Sequence, residues 1–96
     1  MTWDDLTQHK LTIYSTSWCS DCHRLKKILA GHGLAWQERD IDADPAAAEE
    51  LARKTGRTSI PWVEIDGCGP IPGWHEAHPG RWDEARFLAA AAKALE

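Results

Sequence analysis

Cysteine is scarce in this chain of 96 residues: three in all, Cys19, Cys22 and Cys68. A count that low and odd excludes the dense disulfide framework of a small secreted domain. No apolar run approaches the roughly 18 residues a membrane span needs, so no membrane partner is expected. The opening Met1-Thr2-Trp3-Asp4-Asp5 is acidic where a secretory signal carries positive charge, and a cytoplasmic location is the expectation. Basic residues are outnumbered, 11 Lys plus Arg against 15 Asp plus Glu for a formal charge of -4, which argues against a nucleic-acid partner. There is no internal repeat and no linker. There is also no Gly-rich dinucleotide loop, so electrons for any redox reaction must come from outside the chain.

What remains is a single small domain over residues 1–96, expected as a monomer. Apolar residues make up 43% of it, but many are Ala, valine occurs once at Val63, and six are Trp. Burial must come largely from Trp, Leu and Ile. A domain of this size buries only about 60–65% of its unfolded surface, which leaves little room for an enclosed cofactor cavity.

Lys10-Leu11-Thr12-Ile13-Tyr14 reads as a strand, Leu11 and Ile13 on one face and Thr12 and Tyr14 on the other. Ser15-Thr16-Ser17 offers capping hydroxyls where a helix begins. From Ser20 to Ala30, Leu25, Ile28 and Leu29 recur at helical spacing while Arg24, Lys26 and Lys27 face out; Gly31 and Gly33 stop the run. Leu34 to Ile41 is a polar second strand. Asp44-Pro45 starts a helix to about Lys54, with Gly56 as its stop. Pro61 to Asp66 is a third strand, and Asp66-Gly67 begins a tight turn. The next strand is short, near Ile71 to Trp74, and Pro70 and Pro72 confine it to a sheet edge. Arg81 to Glu96 is a final helix with Phe87, Leu88, Ala91 and Leu95 as its apolar stripe. The order β-α-β-α-β-β-α predicts an α/β domain with a four-stranded mixed sheet and helices on both faces.

The chemistry sits in Trp18-Cys19-Ser20-Asp21-Cys22, a C-x-x-C at a strand-to-helix junction. Two residues three apart in a first helical turn have Cβ atoms roughly 5–6 Å apart, so modest tightening closes a disulfide. Cys19 lies at the helix N-terminus, where unpaired N–H groups and the helix dipole favour a thiolate; Cys22 is one turn inside. That asymmetry makes Cys19 the attacking thiol and Cys22 the resolving one. Asp21 opposes the thiolate by about 1 kcal/mol in water-like surroundings, close to the helix-end gain of about 0.3–1 kcal/mol. Activation of Cys19 is therefore expected to be moderate, with His23, Arg24, Lys26 and Lys27 tipping the balance.

The segment Leu11 to Lys26 resembles the glutaredoxin family, and most closely its mycoredoxin branch. The similarity continues through Asp40-Ile41-Asp42 and Asp44 to Glu49, and returns at Ser59-Ile60-Pro61-Trp62-Val63. The resemblance implies a thioredoxin-like fold, a redox-active Cys19–Cys22 disulfide and Pro61 in the cis form beside it. It implies that the backbone of Ile60 pairs with the peptide-like part of a bound thiol, in a substrate-binding set of Ser17, Trp18, Ser59, Ile60 and Pro61. It further implies an oxidoreductase that reduces mixed disulfides between proteins and a low-molecular-weight thiol: glutathione, mycothiol or bacillithiol. Such an enzyme holds no tightly bound cofactor. Its partners are thiol-capped or disulfide-bonded protein clients and a thiol/disulfide reductase system. Two departures stand out: Ser20-Asp21 replaces the family's common Pro-Tyr, and Cys68 to His78 lacks its usual Gly-Gly turn and acidic residue.

The same residues admit other readings. Cys19-Ser20-Asp21-Cys22-His23 matches the c-type haem attachment pattern, but Met1 is the only methionine available as an axial ligand. Cys19, Cys22, Cys68, His75 and His78 could form a zinc set, although His75-x-x-His78 is closer spaced than usual. A [2Fe–2S] cluster on the same Cys pair, or a thioredoxin-like reduction of ordinary protein disulfides, stays open. Cys68, between Gly67 and Gly69, reads as an exposed turn residue that could exchange with the Cys pair if the turn lies nearby. Trp18 reads as a shield or partner surface, the other tryptophans as core or rim. His9 and His32 carry no pattern.

Overall fold

Alternation along one strand sets the architecture. In the computed structural model, which describes residues 1–57, 59–74 and 82–96, strand β1 (Leu11–Ser15) is central in a sheet of order β2-β1-β3-β4. β2 (Trp36–Asp40) runs parallel to β1, whereas β3 (Trp62–Ile65) pairs antiparallel with β1, and β4 (Cys68–Pro72) antiparallel with β3. Leu11 and Ile13 point into one core with Leu25, Leu29, Val63, Ile65, Phe87 and Ala91, contributed in part by helices α2 (Ser20–Gly31) and α4 (Glu84–Ala94). Tyr14 points the other way, against Ala47 and Leu51 of α3 (Pro45–Thr55). Helices therefore cover both faces, and the fold is α/β and thioredoxin-like.

Local chemistry explains the boundaries. At the end of α2, Gly33 adopts φ 76°, its N–H donates to Ala30 O, and the Leu34 N–H donates to Leu29 O. This paired 6→1 and 5→2 closure needs a left-handed residue, which glycine supplies without a Cβ clash. Asp44 caps α3 by accepting from the Ala46 N–H, Pro45 follows, and Gly56 closes the helix in the left-handed region. Asp66 (φ 53°) and Gly67 (φ 78°) form the two-residue turn of a β-hairpin.

That turn corrects the fourth strand. With only two loop residues, Cys68 pairs at once with Ile65, so β4 spans Cys68–Pro72 rather than Ile71 to Trp74. It is an edge strand, as its prolines require. Cys68 is half-buried at its start rather than an exposed turn residue. The last helix starts later than its sequence pattern suggests, at Glu84, because Asp83 caps it through the Arg86 N–H; Arg81 lies outside the described residues. An unexpected helix α1 (Trp3–Leu6) forms near the N-terminus, where Thr2 and Asp5 make a reciprocal capping box. It buries Leu6 and stacks Trp3 on His32, with ring centroids 4.1 Å apart. Lys26 does not face out: its side chain is 17% exposed and pairs with Glu38 of β2.

Under α3 lies a charged network. Tyr14 Oη donates to Glu64 (2.6 Å), Lys54 bridges Glu64 and Glu50 at 2.8 Å each, and Arg39 pairs with Glu50. Hydrogen bonds from Lys54 and then Arg39 hold Glu50 down at about 2, from an ordinary value of 4.5. A depressed carboxylate contributes stability that is complete above its unfolded pKa and is lost as pH falls through the folded one. The urea midpoint of Glu50→Gln should therefore lie below wild type at pH 6, with the two curves converging toward pH 2. A constant difference down the acid limb would contradict this.

One close contact ties β4 to the rest. The Gly73 N–H donates to Pro61 O at 3.0 Å, and a Cβ built on Gly73 would sit 2.6 Å from Leu25 Cδ2 and 3.1 Å from Pro61 Cγ. Gly73→Ala should cost about 1–3 kcal/mol through overpacking, read as a lower urea midpoint. An unchanged midpoint would show that Leu25 and Pro61 can make room.

Candidate active site

The turn from β1 into α2 places a sulfur where a helix usually begins on a hydroxyl or carboxylate. Cys19 is the N-cap residue, with extended backbone (φ -81°, ψ 111°), and its Sγ accepts the Cys22 N–H at 3.1 Å. The hydroxyls before it do not cap: Ser15 Oγ donates to Glu38, and buried Thr16 Oγ1 has no hydrogen-bond partner. Cys19 and Cys22 are joined as a disulfide, with Cα atoms 5.2 Å apart. Cys19 is 7% exposed and Cys22 fully buried, so an approaching group meets Cys19 first.

An open depression of about 370 Å³ borders Cys19, lined by Trp18, Ser20, Asp21, Ser59 and Ile60. Four of the residues named from sequence, Trp18, Cys19, Ser59 and Ile60, thus come together. Pro61 is buried behind them and its peptide bond with Ile60 is cis. Ser17 is exposed but does not line the depression; its carbonyl accepts from His23 Nε2 at 2.8 Å, which makes that nitrogen the proton donor. Trp18 is 70% exposed, so it is no core residue.

Three features went unseen in the sequence. The Trp18 indole N–H donates to Asp42 in the loop between β2 and α3. Asp21 pairs with Arg24 across one helical turn, at 3.0 Å, so part of its charge is offset close to Cys19. Gly73 stands behind Pro61. Only the Asp21/Arg24 spacing of three was visible as a sequence signal; the other two depend on chain crossings.

Cys68 is remote from this site. It pairs with Ile65, which pairs with Leu11, while Cys19 follows the opposite end of β1. Four strand steps separate Leu11 from Ser15, about 13 Å at roughly 3.3 Å each, so Cys68 cannot exchange with Cys19 within one chain. The zinc set does not assemble through Cys68, and no group of three potential ligands occurs among the described residues. His75 and His78 lie outside them.

Comparison with known proteins agrees with this geometry. The glutaredoxin family model matches residues 11–68. A glutaredoxin of Pseudomonas aeruginosa is 36% identical over 83 residues, covering 86% of this chain and 88% of the relative. Glutaredoxin 3 of Escherichia coli K12 is 41% identical over 64 residues, 62% of this chain and 77% of that one. Among solved structures, the thioredoxin-like protein BC3987 superposes with a TM-score of 0.62 at 23% identity, over 82% of this chain and 96% of its own, a likeness of fold. The holo form of glutaredoxin C1 from Populus tremula x tremuloides gives 0.58 at 26% identity, over 74% and 72%. With a family match over more than half its length and its cysteine pair at the mouth of α2, the chain belongs to the glutaredoxin family and is a thiol-disulfide oxidoreductase.

Proposed function

We propose that this oxidoreductase reduces mixed disulfides between protein cysteines and a low-molecular-weight thiol, with Cys19 as nucleophile. The observation that carries the reading is the asymmetry of the pair: Cys19 caps α2 beside an open depression, and Cys22 is sealed beneath it. In the reduced protein, the N–H groups at the start of α2 and the helix dipole favour negative charge on Cys19 Sγ. The thiolate attacks one sulfur of the client's mixed disulfide. A Cys19–S bond forms as the client S–S bond breaks, and the displaced sulfur leaves as a thiolate that takes up a proton. If the small thiol is left on Cys19, a second small thiol attacks it and restores the Cys19 thiolate, carrying both sulfurs away as a small-molecule disulfide. Alternatively, Cys22 loses its proton and attacks Cys19 Sγ; the mixed disulfide on Cys19 breaks, the small thiol or client held there leaves as a thiolate that takes up a proton, and the Cys19–Cys22 disulfide closes. A reductase system or the cellular thiol pool then returns two electrons.

Trp18, Ser59 and Ile60 border the depression, and we assign them to the bound substrate, with Pro61 as the wall behind. Ser17, exposed on the same turn, stays in the assigned set, and its carbonyl accepts from His23 Nε2. The solved complex of buckwheat glutaredoxin with glutathione shares the fold, at a TM-score of 0.60 and 21% identity. The co-substrate here is taken as a thiol of the same general kind, glutathione, mycothiol or bacillithiol.

The test is reduction of one peptide capped at its cysteine with each of the three thiols in turn, followed by mass. Turnover with at least one cap is expected, and Cys19→Ser should abolish it. Retention in Cys22→Ser assigns the route through a second small thiol; loss assigns the intramolecular disulfide. No turnover with any cap would contradict the proposal. Charge at the site gives a second expectation. Asp21→Asn removes a carboxylate beside Cys19 that Arg24 offsets only in part, so iodoacetamide should alkylate the reduced variant about twofold faster at neutral pH. An unchanged or slower rate would show that Asp21 does not act on the thiolate.

A further inference from the structure

Two exposed side chains from distant parts of the sequence meet beside Cys19. Trp18 is a large apolar side chain left 70% exposed, and it directly precedes the reactive sulfur. An indole in that position would ordinarily sample several rotamers. Here its N–H donates to an Asp42 carboxylate oxygen, which ties the β1–α2 turn to the β2–α3 loop. The loop is itself fixed. Asp40 Oδ1 accepts from the Asp42 and Ala43 N–H groups at 2.9 and 3.2 Å, the Asp44 N–H donates to Asp40 O at 2.8 Å, and the Ile41 N–H donates to Ser15 O at 3.0 Å. A rigid loop therefore holds a rigid aromatic plate at the rim of the depression, which Ile60 also lines.

We infer that Asp42 is a positioning residue for client recognition: it holds Trp18 as the surface on which the polypeptide around a client's capped cysteine packs. The inference rests on the oxidoreductase reading and extends it to the polypeptide side of the substrate. A bound peptide gains most from an apolar plate whose ordering cost has been met before binding. The hydrogen bond supplies that order, and its loss would let the indole move away from the client. Asp42 touches no reacting atom, so its removal should weaken peptide binding and leave the transfer of sulfur at Cys19 alone. The effect belongs in KM rather than kcat.

The experiment compares two probes whose cap does not depend on the physiological thiol. One is a short peptide capped at its single cysteine with 2-mercaptoethanol; the other is 2-hydroxyethyl disulfide, which carries no polypeptide. Dithiothreitol regenerates the enzyme in both assays. A single hydrogen bond of this kind is worth about 1 kcal/mol, so Asp42→Ala should raise the ratio of peptide KM to hydroxyethyl-disulfide KM about fivefold, with kcat for the peptide kept. Asp42→Asn retains an acceptor oxygen and should bring the ratio back to within about twofold of wild type. Trp18→Phe keeps an aromatic ring without the N–H, so adding Asp42→Ala to it should change nothing further. An unchanged ratio in Asp42→Ala, failure of Asp42→Asn to restore it, or full additivity with Trp18→Phe would overturn the inference. Turnover of neither probe by the wild type would instead overturn the oxidoreductase reading on which it rests.

Discussion

A helix that begins on sulfur needs that sulfur to accept hydrogen bonds, and this requirement governs the site. The first-turn N–H groups of an α-helix have no partners within the helix, and Ser, Thr, Asp or Asn usually serves them. In α2 the acceptor is Cys19 Sγ, held on the Cys22 N–H. A thiolate accepts such a bond far better than a neutral thiol does, so the fold is best capped when the cysteine carries the charge that the proposed mechanism demands. Structure and reactivity thus draw on the same few N–H groups.

The remainder of the molecule holds that helix end against the sheet. Leu25 and Leu29 anchor α2 in a core with Leu11, Ile13, Val63 and Phe87, while Gly73 lets β4 approach Pro61 and Leu25 without a side chain between them. On the other face, Arg39, Glu50, Lys54, Glu64 and Tyr14 bind α3 to β2 and β3. That attachment bears on the proposed client surface, because the loop leading into α3 carries Asp42 to Trp18. Both faces of the sheet converge on Cys19, one through the helix it caps and one through the indole beside it.

Local features were legible in the sequence wherever one short segment decides the conformation. The alternation in β1, the Asp44-Pro45 start of α3, the glycine stop after α2 and the Asp66-Gly67 turn all formed as their chemistry requires. The C-x-x-C spacing announced the disulfide. What escaped depends on contacts between distant segments. Lys26 looks solvated on a helical projection, yet β2 brings Glu38 to it. Trp18 and Asp42 are 24 residues apart and meet only because β1 and β2 run parallel. The sequence pattern puts the fourth strand near Ile71 to Trp74, but a two-residue turn sets its register from Cys68 onward. Helix α1 is too short to show apolar periodicity, and its only trace was a Thr and an Asp three apart.

The account stands on Cys19 being the reactive thiol because of where α2 begins. The most direct measurement is partial alkylation of the fully reduced protein with iodoacetamide at neutral pH, followed by mass mapping of the three cysteines. Cys19 should be modified first even though Cys68 is the more exposed of the two, because Cys68 sits in an edge strand with no helix end to favour its thiolate, and Cys22 last because it is sealed in the core. Faster labelling of Cys68 or Cys22 than of Cys19 would contradict the account, since the helix end would then confer no advantage on the sulfur that caps it.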